Sequence, residues 1–369
     1  MKVALIQDWF TVDGGAEKVF KQIHKRFPDA DIFSLVDFLS PGDREKILFG
    51  KKSKTSFLQR LPFAPKIFRY FLPIFPKAIR SLDLKGYDLI VSSSYSVAKG
   101  LKKLPGQVHI CYCHSPMRYA WDMKNEYVEG HGLNKFGLKA LVNVLMKRLR
   151  DWDVRTAKDV DAFVANSHFV ADRIRRYYGV SAEVVYPPVA IDDFYISDRK
   201  GDYFFTTARL VPYKRMEAIV QAFTLLPEQK LVLAGDGPEF KKLKKMAGSN
   251  VELVGWVSRE QLAKYYAEAK ATVLAAKEDF GITALESMAS GTPVLALRFG
   301  GYLETVQEGV SGLFFDHADP DQIADCVGRF LQKEISFSPK EIRNLALQFS
   351  PDSFDYKWEA VLRKNLKNQ

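Results

Sequence analysis

The sequence predicts two α/β domains, each built on a doubly wound parallel sheet. Three observations lead there. Short apolar runs rich in Val, Ile, Leu and Phe alternate with amphipathic stretches of helical period along the whole chain. At 369 residues there is enough chain for two hydrophobic cores. The alternation breaks at Tyr186-Pro187-Pro188-Val189-Ala190-Ile191-Asp192, where two prolines stiffen a connection that no helix can continue. The expected domains are therefore 1–190 and 191–351, with a last amphipathic helix, 352–369, expected to pack back on the first.

The elements follow in order. In the first half, strands are predicted at Lys2–Gln7, Asp31–Leu35, Tyr87–Ser92, Gln107–Cys113, Asp161–Asn166 and Glu183–Tyr186. The clearest helical patterns between them are Ala16–Phe27, Lys135–Lys158 and His168–Tyr178. In the second half, strands are predicted at Tyr203–Ala208, Lys230–Ala234, Val251–Val254, Ala271–Ala275, Pro293–Leu297 and Leu313–Phe315. Helices are predicted at Lys214–Leu225, Glu239–Met246, Arg259–Glu268, Ile282–Ser290 and Ile323–Gln332. Repeated βα units of this length favour parallel sheets covered on both faces.

Composition is that of a globular protein, 47% hydrophobic and 27% charged. Cys111, Cys113 and Cys326 are few, odd in number and without zinc spacing, which suits a reducing compartment. Cys111 and Cys113 are expected on one face of a strand. Met1-Lys2 leads straight into an apolar strand, so no signal peptide is expected, and no apolar run reaches the length of a membrane span. The net charge of +10 is uneven, +12 over residues 1–190 and −2 over 191–369. A basic first half suggests an anionic partner for it, with a merely solubilising surface as the alternative.

Four segments fall at corners that follow strands, where open α/β sheets bind ligands. Asp13-Gly14-Gly15-Ala16-Glu17 opens the first helix, and its glycines let backbone N–H groups approach an anion. It is neither GxGxxG nor a Walker loop. Thr207–Arg215 brings Arg209 and Lys214, which suit a diphosphate, or else are two solvated charges. Ala234-Gly235-Asp236-Gly237-Pro238 is a tight turn, fit for lining a pocket or for turning the chain alone. The fourth runs from Glu278 to Glu286, eight residues on, across a strand, loop and helix closed by Gly291. A carboxylate that accepts two vicinal hydroxyls is the usual grip on a ribose, and Glu286 suits it.

These pieces resemble the nucleotide-binding domain of retaining glycosyltransferases of family 4, which have the GT-B fold. The matching residues are Arg209 with Lys214, Gly235-Asp236-Gly237-Pro238, Gly255-Trp256-Val257, and Glu278-x7-Glu286 followed by Gly291-Thr292-Pro293-Val294. Gly14-Gly15 and His114-Ser115-Pro116 match the family's first domain. The resemblance implies two Rossmann-like domains facing a cleft, an acceptor domain followed by a nucleotide-sugar domain. It implies that Arg209 and Lys214 hold the donor diphosphate, that Glu286 binds the ribose, and that Glu278 with Phe280, Gly281 and Ile282 contacts the donor sugar. Gly14 and Gly15 would cap the distal phosphate, Gly235 would line the donor pocket, and Val254, Trp256 and Val257 would border the base. His114 would sit beside the transferred sugar. Catalysis would then fall to His114, Glu278, Arg209 and Lys214.

Around Cys113–Asp122 the chain is similar to family members that build bacterial surface polysaccharides, often mannosyltransferases using GDP-mannose. Arg118, Tyr119 and Trp121 would then flank a polyprenyl-linked or oligosaccharide acceptor. The strings Asp29–Asp31, Asp151–Asp153 and Asp159–Asp161 have metal-binding spacing, but Arg209, Lys214 and helix N-termini can neutralise a diphosphate, so no metal or other cofactor is expected.

Residues 49–82 hold eight Lys or Arg and no Asp or Glu, interleaved with Phe49, Phe57, Phe63, Phe68, Tyr70, Phe71 and Phe75. Pro62, Pro65, Pro73 and Pro76 prevent one long helix. The segment suits docking on an anionic membrane surface, on the inner face of the cytoplasmic membrane, with internal packing as the alternative. A sugar-nucleotide epimerase on a related fold is the second enzyme class. A basic nucleic-acid-binding protein is the third reading, but no nucleic-acid motif is present and no such partner is expected.

Overall fold

The computed structural model describes residues 1–122, 138–332 and 336–366. The chain divides into two compact units, Met1–Pro188 with Phe354–Gln369, and Val189–Ser353.

The first unit holds a seven-stranded sheet: β1 (Val3–Gln7), β2 (Asp31–Ser34), β3 (Lys54–Thr55), β4 (Leu89–Ser94), β5 (Val108–Cys113), β6 (Ala162–Ala165) and β7 (Ala182–Val184). The spatial order is β3-β2-β1-β4-β5-β6-β7, and every pairing is parallel. Alternate residues enter opposite cores. Ala4, Ile6, Phe33 and Ile90 join one face, while Val3, Leu5, Ile32, Leu89 and Val91 join the other. Both faces are therefore covered, which is why β1 is an unbroken buried run rather than an alternating one.

The basic segment covers the first face with short pieces, Phe57–Arg60, Ala64–Ile67, Phe68–Ile74 and Phe75–Arg80. Leu58, Phe68, Leu72, Phe75, Ala78 and Ile79 are buried there. The second face receives Phe354, Trp358, Val361 and Leu362 of the helix Pro351–Leu366, spaced at one side of a helix. Cys111 and Cys113 lie together on one face of β5, both buried and unbridged.

The second unit holds a six-stranded parallel sheet: β8 (Tyr203–Thr207), β9 (Lys230–Ala234), β10 (Val251–Gly255), β11 (Thr272–Leu274), β12 (Val294–Leu297) and β13 (Gly312–Phe315). Its order, β10-β9-β8-β11-β12-β13, reverses direction between β8 and β11. In the first unit the same reversal falls between β1 and β4. Such switch points leave a crevice at the carboxyl ends of the strands, where ligands bind.

Several boundaries differ from the sequence reading. The helix expected at Lys214–Leu225 is split: Pro212–Lys214 is a 3-10 turn, Arg215 takes a left-handed φ of 57°, and the α-helix runs Met216–Thr224. Lys214 thus belongs to the corner rather than to the helix. β4 continues through Ser94, because Ser92, Ser93 and Ser94 pair with β5 despite their polarity. β7 stops at Val184, short of the expected Tyr186, ahead of the prolines that donate no N–H. β3 and the helix Pro41–Leu48 were not foreseen. The first is two residues long, and the second buries only Ile47 and Leu48 at its end. The expected helix Lys135–Lys158 is seen as Leu138–Ala157, and its residues 135–137 lie outside the described residues.

Candidate functional site

The switch point of the second unit gathers the charges that the sequence singled out. β8 ends at Thr207, and the chain passes Arg209, which is exposed, to Lys214, which is half-buried. β11 ends at Leu274, and the chain reaches Glu278. Lys214 Nζ and Glu278 Oε1 form an ion pair, each side chain about one-fifth exposed, at 22% and 21%. The two corners on either side of the reversal are thus tied by opposite charges.

Gly281 then caps the helix Ile282–Ala289 at φ 89°, a conformation that L-residues rarely adopt. A Cβ at this position would come 2.7 Å from the Tyr302 ring. No side chain caps this helix start, so its first-turn N–H groups face the corner without a side-chain acceptor. Phe280 is buried and packs edge-on against Phe349 at 5.7 Å. Ile282 is half-buried beside it.

Glu286 lies on the next turn and is only 6% exposed. Its Oε1 accepts from Arg259 Nη1 at 2.6 Å, and its Oε2 from the Tyr266 hydroxyl at 3.5 Å. Arg259 also bonds Asp193 at 3.0 Å and lies over the Phe194 ring at 4.4 Å. Burial opposes the charge of Arg259, but the combined pull of Glu286 and Asp193 raises its pKa above the ordinary guanidinium value. Burial, reinforced by Glu286, pushes the Tyr266 hydroxyl well above its usual range. Glu286 is therefore a fixed acceptor, held by a cation and a neutral phenol. Arg259 and Tyr266 escaped the sequence reading. Their helix, Arg259–Glu268, was expected, and a Ser258–Gln261 capping box opens it, but the sequence did not say which residue it presents to Glu286.

The Gly235–Pro238 corner is zipped by backbone to the Thr207–Arg215 corner on one side and to the end of β10 on the other. Leu210 N–H donates to Asp236 C=O at 2.9 Å, and Gly235 N–H donates to Gly255 C=O at 2.7 Å. At Gly235, with φ 136°, a Cβ would fall 1.9 Å from the Ala208 carbonyl oxygen, so only glycine permits this approach. Beyond it, Val254 and Val257 are half-buried, and Trp256 is 78% exposed. The structure thus brings Lys214, Glu278, Gly281, Gly235 and β10's end to one edge of one sheet.

The first unit has its own switch point. Asp8, fully buried at the end of β1, accepts four backbone N–H groups from Tyr95, Ser96, Val97 and Ala98 at 2.6–2.9 Å. It locks the turn that follows β4. Desolvation raises its pKa to about 6, against the lowering effect of those four bonds. Sequence reading missed Asp8, since one Asp after a strand carries no pattern.

Gly14 and Gly15 open the helix Gly15–Arg26, with Gly14 as an N-cap that offers no side chain. His114 follows β5. Its Nε2 pairs with the Ser93 hydroxyl at 2.8 Å, and its ring lies 5.0 Å from Tyr112 and 6.0 Å from Tyr95.

The residues expected at an acceptor are placed differently from one another. Arg118 is half-buried, and Tyr119 bonds the Ser96 hydroxyl at 2.7 Å. Trp121 donates to Asp153 at 2.9 Å and stacks on Tyr177 at 4.3 Å, which fixes it in the wall of the unit. In the Asp-x-Asp strings, Asp31 pairs with Lys54, Asp153 with buried Lys99, and Asp161 with Lys103. Those carboxylates are engaged in local structure.

The basic segment buries part of its apolar side chains and leaves Phe57, Phe63, Tyr70 and Ile74 exposed among Arg60, Lys66, Arg69 and Lys77. Phe57 and Arg60 also border a cavity of ≈ 650 Å³ with Lys2, Lys54 and Lys85 in its lining. Among the described residues, no helix is long and apolar enough to cross a membrane.

Residues 191–346 match the profile described as glycosyl transferases group 1, and residues 13–193 match glycosyltransferase family 4. An uncharacterised glycosyltransferase of Methanocaldococcus jannaschii is 23% identical over 343 residues, covering 90% of this chain and 89% of the relative. A GDP-mannose-dependent α-(1-6)-phosphatidylinositol monomannoside mannosyltransferase of Mycobacterium tuberculosis is 29% identical over 204 residues. That match covers 47% of this chain and 52% of the relative, so the alignment spans about half of each. The Anabaena protein HepE, solved in complex with UDP, has the same fold, with TM-score 0.73 and 17% identity over 99% of this chain and 100% of that one. Two parallel-sheet domains with these matches make a GT-B architecture, and the chain belongs to the group 1 glycosyltransferases of family 4.

Proposed function

We propose that this chain is a retaining hexosyltransferase that moves mannose from GDP-mannose to a polyprenyl-linked or oligosaccharide acceptor in bacterial surface polysaccharide synthesis. The observation that carries the donor reading is the switch point of the second unit. A half-buried cation, Lys214, and a buried acceptor, Glu286, border one uncapped helix start. A nucleotide sugar offers a diphosphate to the first and ribose hydroxyls to the second. The mannosyl preference draws on the mycobacterial relative, whose name specifies GDP-mannose.

In this reading Lys214 and Arg209 stabilise the departing diphosphate, and a diphosphate competes with Glu278 for Lys214. Glu278 and the N–H groups after Gly281 hold the sugar, Glu286 the ribose, and Val254, Trp256 and Val257 the base. From the first unit we assign Gly14 and Gly15 to the distal phosphate, His114 to the transferred sugar, and Arg118, Tyr119 and Trp121 to the acceptor. No protein nucleophile is needed if the acceptor hydroxyl attacks from the face the diphosphate leaves, with a donor phosphate oxygen taking its proton. The reaction proceeds without metal, so EDTA leaves turnover unchanged. The exposed aromatic and basic face of residues 57–77 seats the protein on an anionic membrane, in line with a lipid-linked acceptor.

A thermal-shift panel of GDP-, UDP- and ADP-sugars tests the donor, since a ligand of the native state raises the melting temperature. GDP-mannose is expected to give the largest shift. A larger shift with a UDP-hexose would select the second reading, which rests on the UDP complex of the Anabaena protein. The anomeric configuration of the product, read by NMR, tests retention.

A further inference from the structure

We propose that Glu17 positions the Gly14-Gly15 corner for the donor's anionic group and sets the donor's affinity through its own charge. The inference rests on the donor reading above and deepens it by one residue. Glu17 is three residues after the N-cap, the place from which a Glu reaches back to the N-cap backbone. The backbone N–H groups of Gly14 and of Glu17 itself favour the charged form of its carboxylate. It lies so close over Gly14 that an added Cβ would meet Oε2 at 2.8 Å.

Glu17 thus shapes the glycine corner without filling the cap itself. It is 5% exposed and borders fully buried Gln7, which donates to it through Nε2 at 3.3 Å. The Gln7 amide oxygen is buried without a hydrogen-bond partner. Half a turn of that amide would offer this oxygen to a protonated Glu17. Gln7 can therefore serve either protonation state, as a donor to the carboxylate or an acceptor from the acid.

Burial raises the Glu17 pKa to about 7, against the lowering bonds from its own N–H, Gln7 and Gly14, and Asp13 raises it further. Its helix also carries Lys18, Lys21, His24, Lys25 and Arg26, while Asp8 directly follows β1 and Tyr95 follows β4. Burial, with Glu17 and Asp8 adding to it, pushes the Tyr95 hydroxyl well above its usual range, so Tyr95 stays neutral. Neutral Glu17 leaves the positive helix end to the incoming phosphate. Ionised Glu17 sets a like charge within one turn of it, on a carboxylate that is itself buried.

The test is binding of the nucleotide sugar chosen by the thermal-shift panel, whose diphosphate stays fully ionised at neutral pH, measured by calorimetry from pH 6 to 8.5. For the wild type, the dissociation constant should rise roughly tenfold across that range. In Glu17→Gln it should stay flat to within about twofold, because the amide keeps the shape and loses the titration. As a second measurement on the unaltered protein, buffers of different ionisation enthalpy should reveal uptake of about half a proton on binding near pH 7.5, since linkage is reciprocal. Equal slopes in the two proteins, or no proton uptake by the wild type, overturn the role of Glu17 and leave the donor reading standing. If no nucleotide sugar binds at any pH, both fall.

Discussion

Lys214 and Glu286 show how little room single side chains have at this site. Lys214 is neutralised by Glu278 and stays partly accessible, so it can exchange that carboxylate for a stronger dianionic partner. Lys214→Ala should lower kcat by at least about 100-fold by removing charge from the leaving group. Lys214→Arg should retain part of it, and steady-state kinetics separates the two. Glu286 carries no such freedom, because Arg259 and Tyr266 hold both oxygens. Glu286→Ala should raise KM for the donor by roughly 10- to 100-fold with a smaller change in kcat, as expected when a ground-state hydroxyl contact is lost.

Elsewhere, His24 is 1% exposed with neither ring nitrogen bonded, and burial together with Lys51 lowers its pKa to about 4. The unfolded chain takes up this proton near the ordinary imidazole value of 6.5, so the stabilising contribution is full above that pH and is lost as pH falls toward about 4. His24→Leu should flatten urea midpoints across that window. A slope as steep as wild type would assign the acid sensitivity to His109, whose pKa burial lowers to about 3.

At the scale of elements, the corner after β11 depends on one backbone conformation. Gly281 ends the loop that carries Glu278 and begins the helix that carries Glu286, so its φ of 89° fixes their separation. Gly281→Ala combines left-handed strain with a contact at 2.7 Å to Tyr302. It should destabilise the fold by on the order of 2–4 kcal/mol. It should also weaken donor binding, seen as a lower urea midpoint together with a smaller thermal shift from the nucleotide sugar. The helix itself is anchored from behind, where the Ser287 hydroxyl donates to the Thr292 carbonyl at 3.0 Å and pairs with the Thr272 hydroxyl at 2.8 Å. Small polar residues let it lie flat on the sheet, and their role is to hold the Glu-bearing helix at a set depth.

For the whole molecule, charge and aromatic exposure are concentrated in the first unit. Phe63 is 76% exposed and Tyr70 74%, and Phe63 holds a left-handed φ of 59° that turns its side chain out from the core. Replacing both with Ser should reduce binding to anionic vesicles by about tenfold or more while leaving binding of the nucleotide sugar unchanged. Binding to such vesicles, to which each basic residue near the surface contributes about 1 kcal/mol, should also fall as salt is raised. Unaltered cosedimentation would show that these aromatics do not touch lipid.

The class of fold, most strand positions and the short list of charged and glycine residues at the corners were all legible in the amino-acid order. Hydrophobic period and turn chemistry are local, and they survive without knowledge of neighbours. That order was also enough to place Glu278 and Glu286 on a loop and the following helix. That Lys214 leaves its expected helix to pair with Glu278 emerges from the folded chain alone, since a left-handed Arg215 is a response to packing and not a sequence signal. The same holds for Arg259 behind Glu286 and for Asp8 beneath the turn after β4, which pair across distances in sequence that no local pattern encodes. Glu17 stood in plain view in a glycine corner. Its character as a buried, near-neutral acid appears only when Gln7 and Gly14 close around it, because desolvation is a property of the assembled environment.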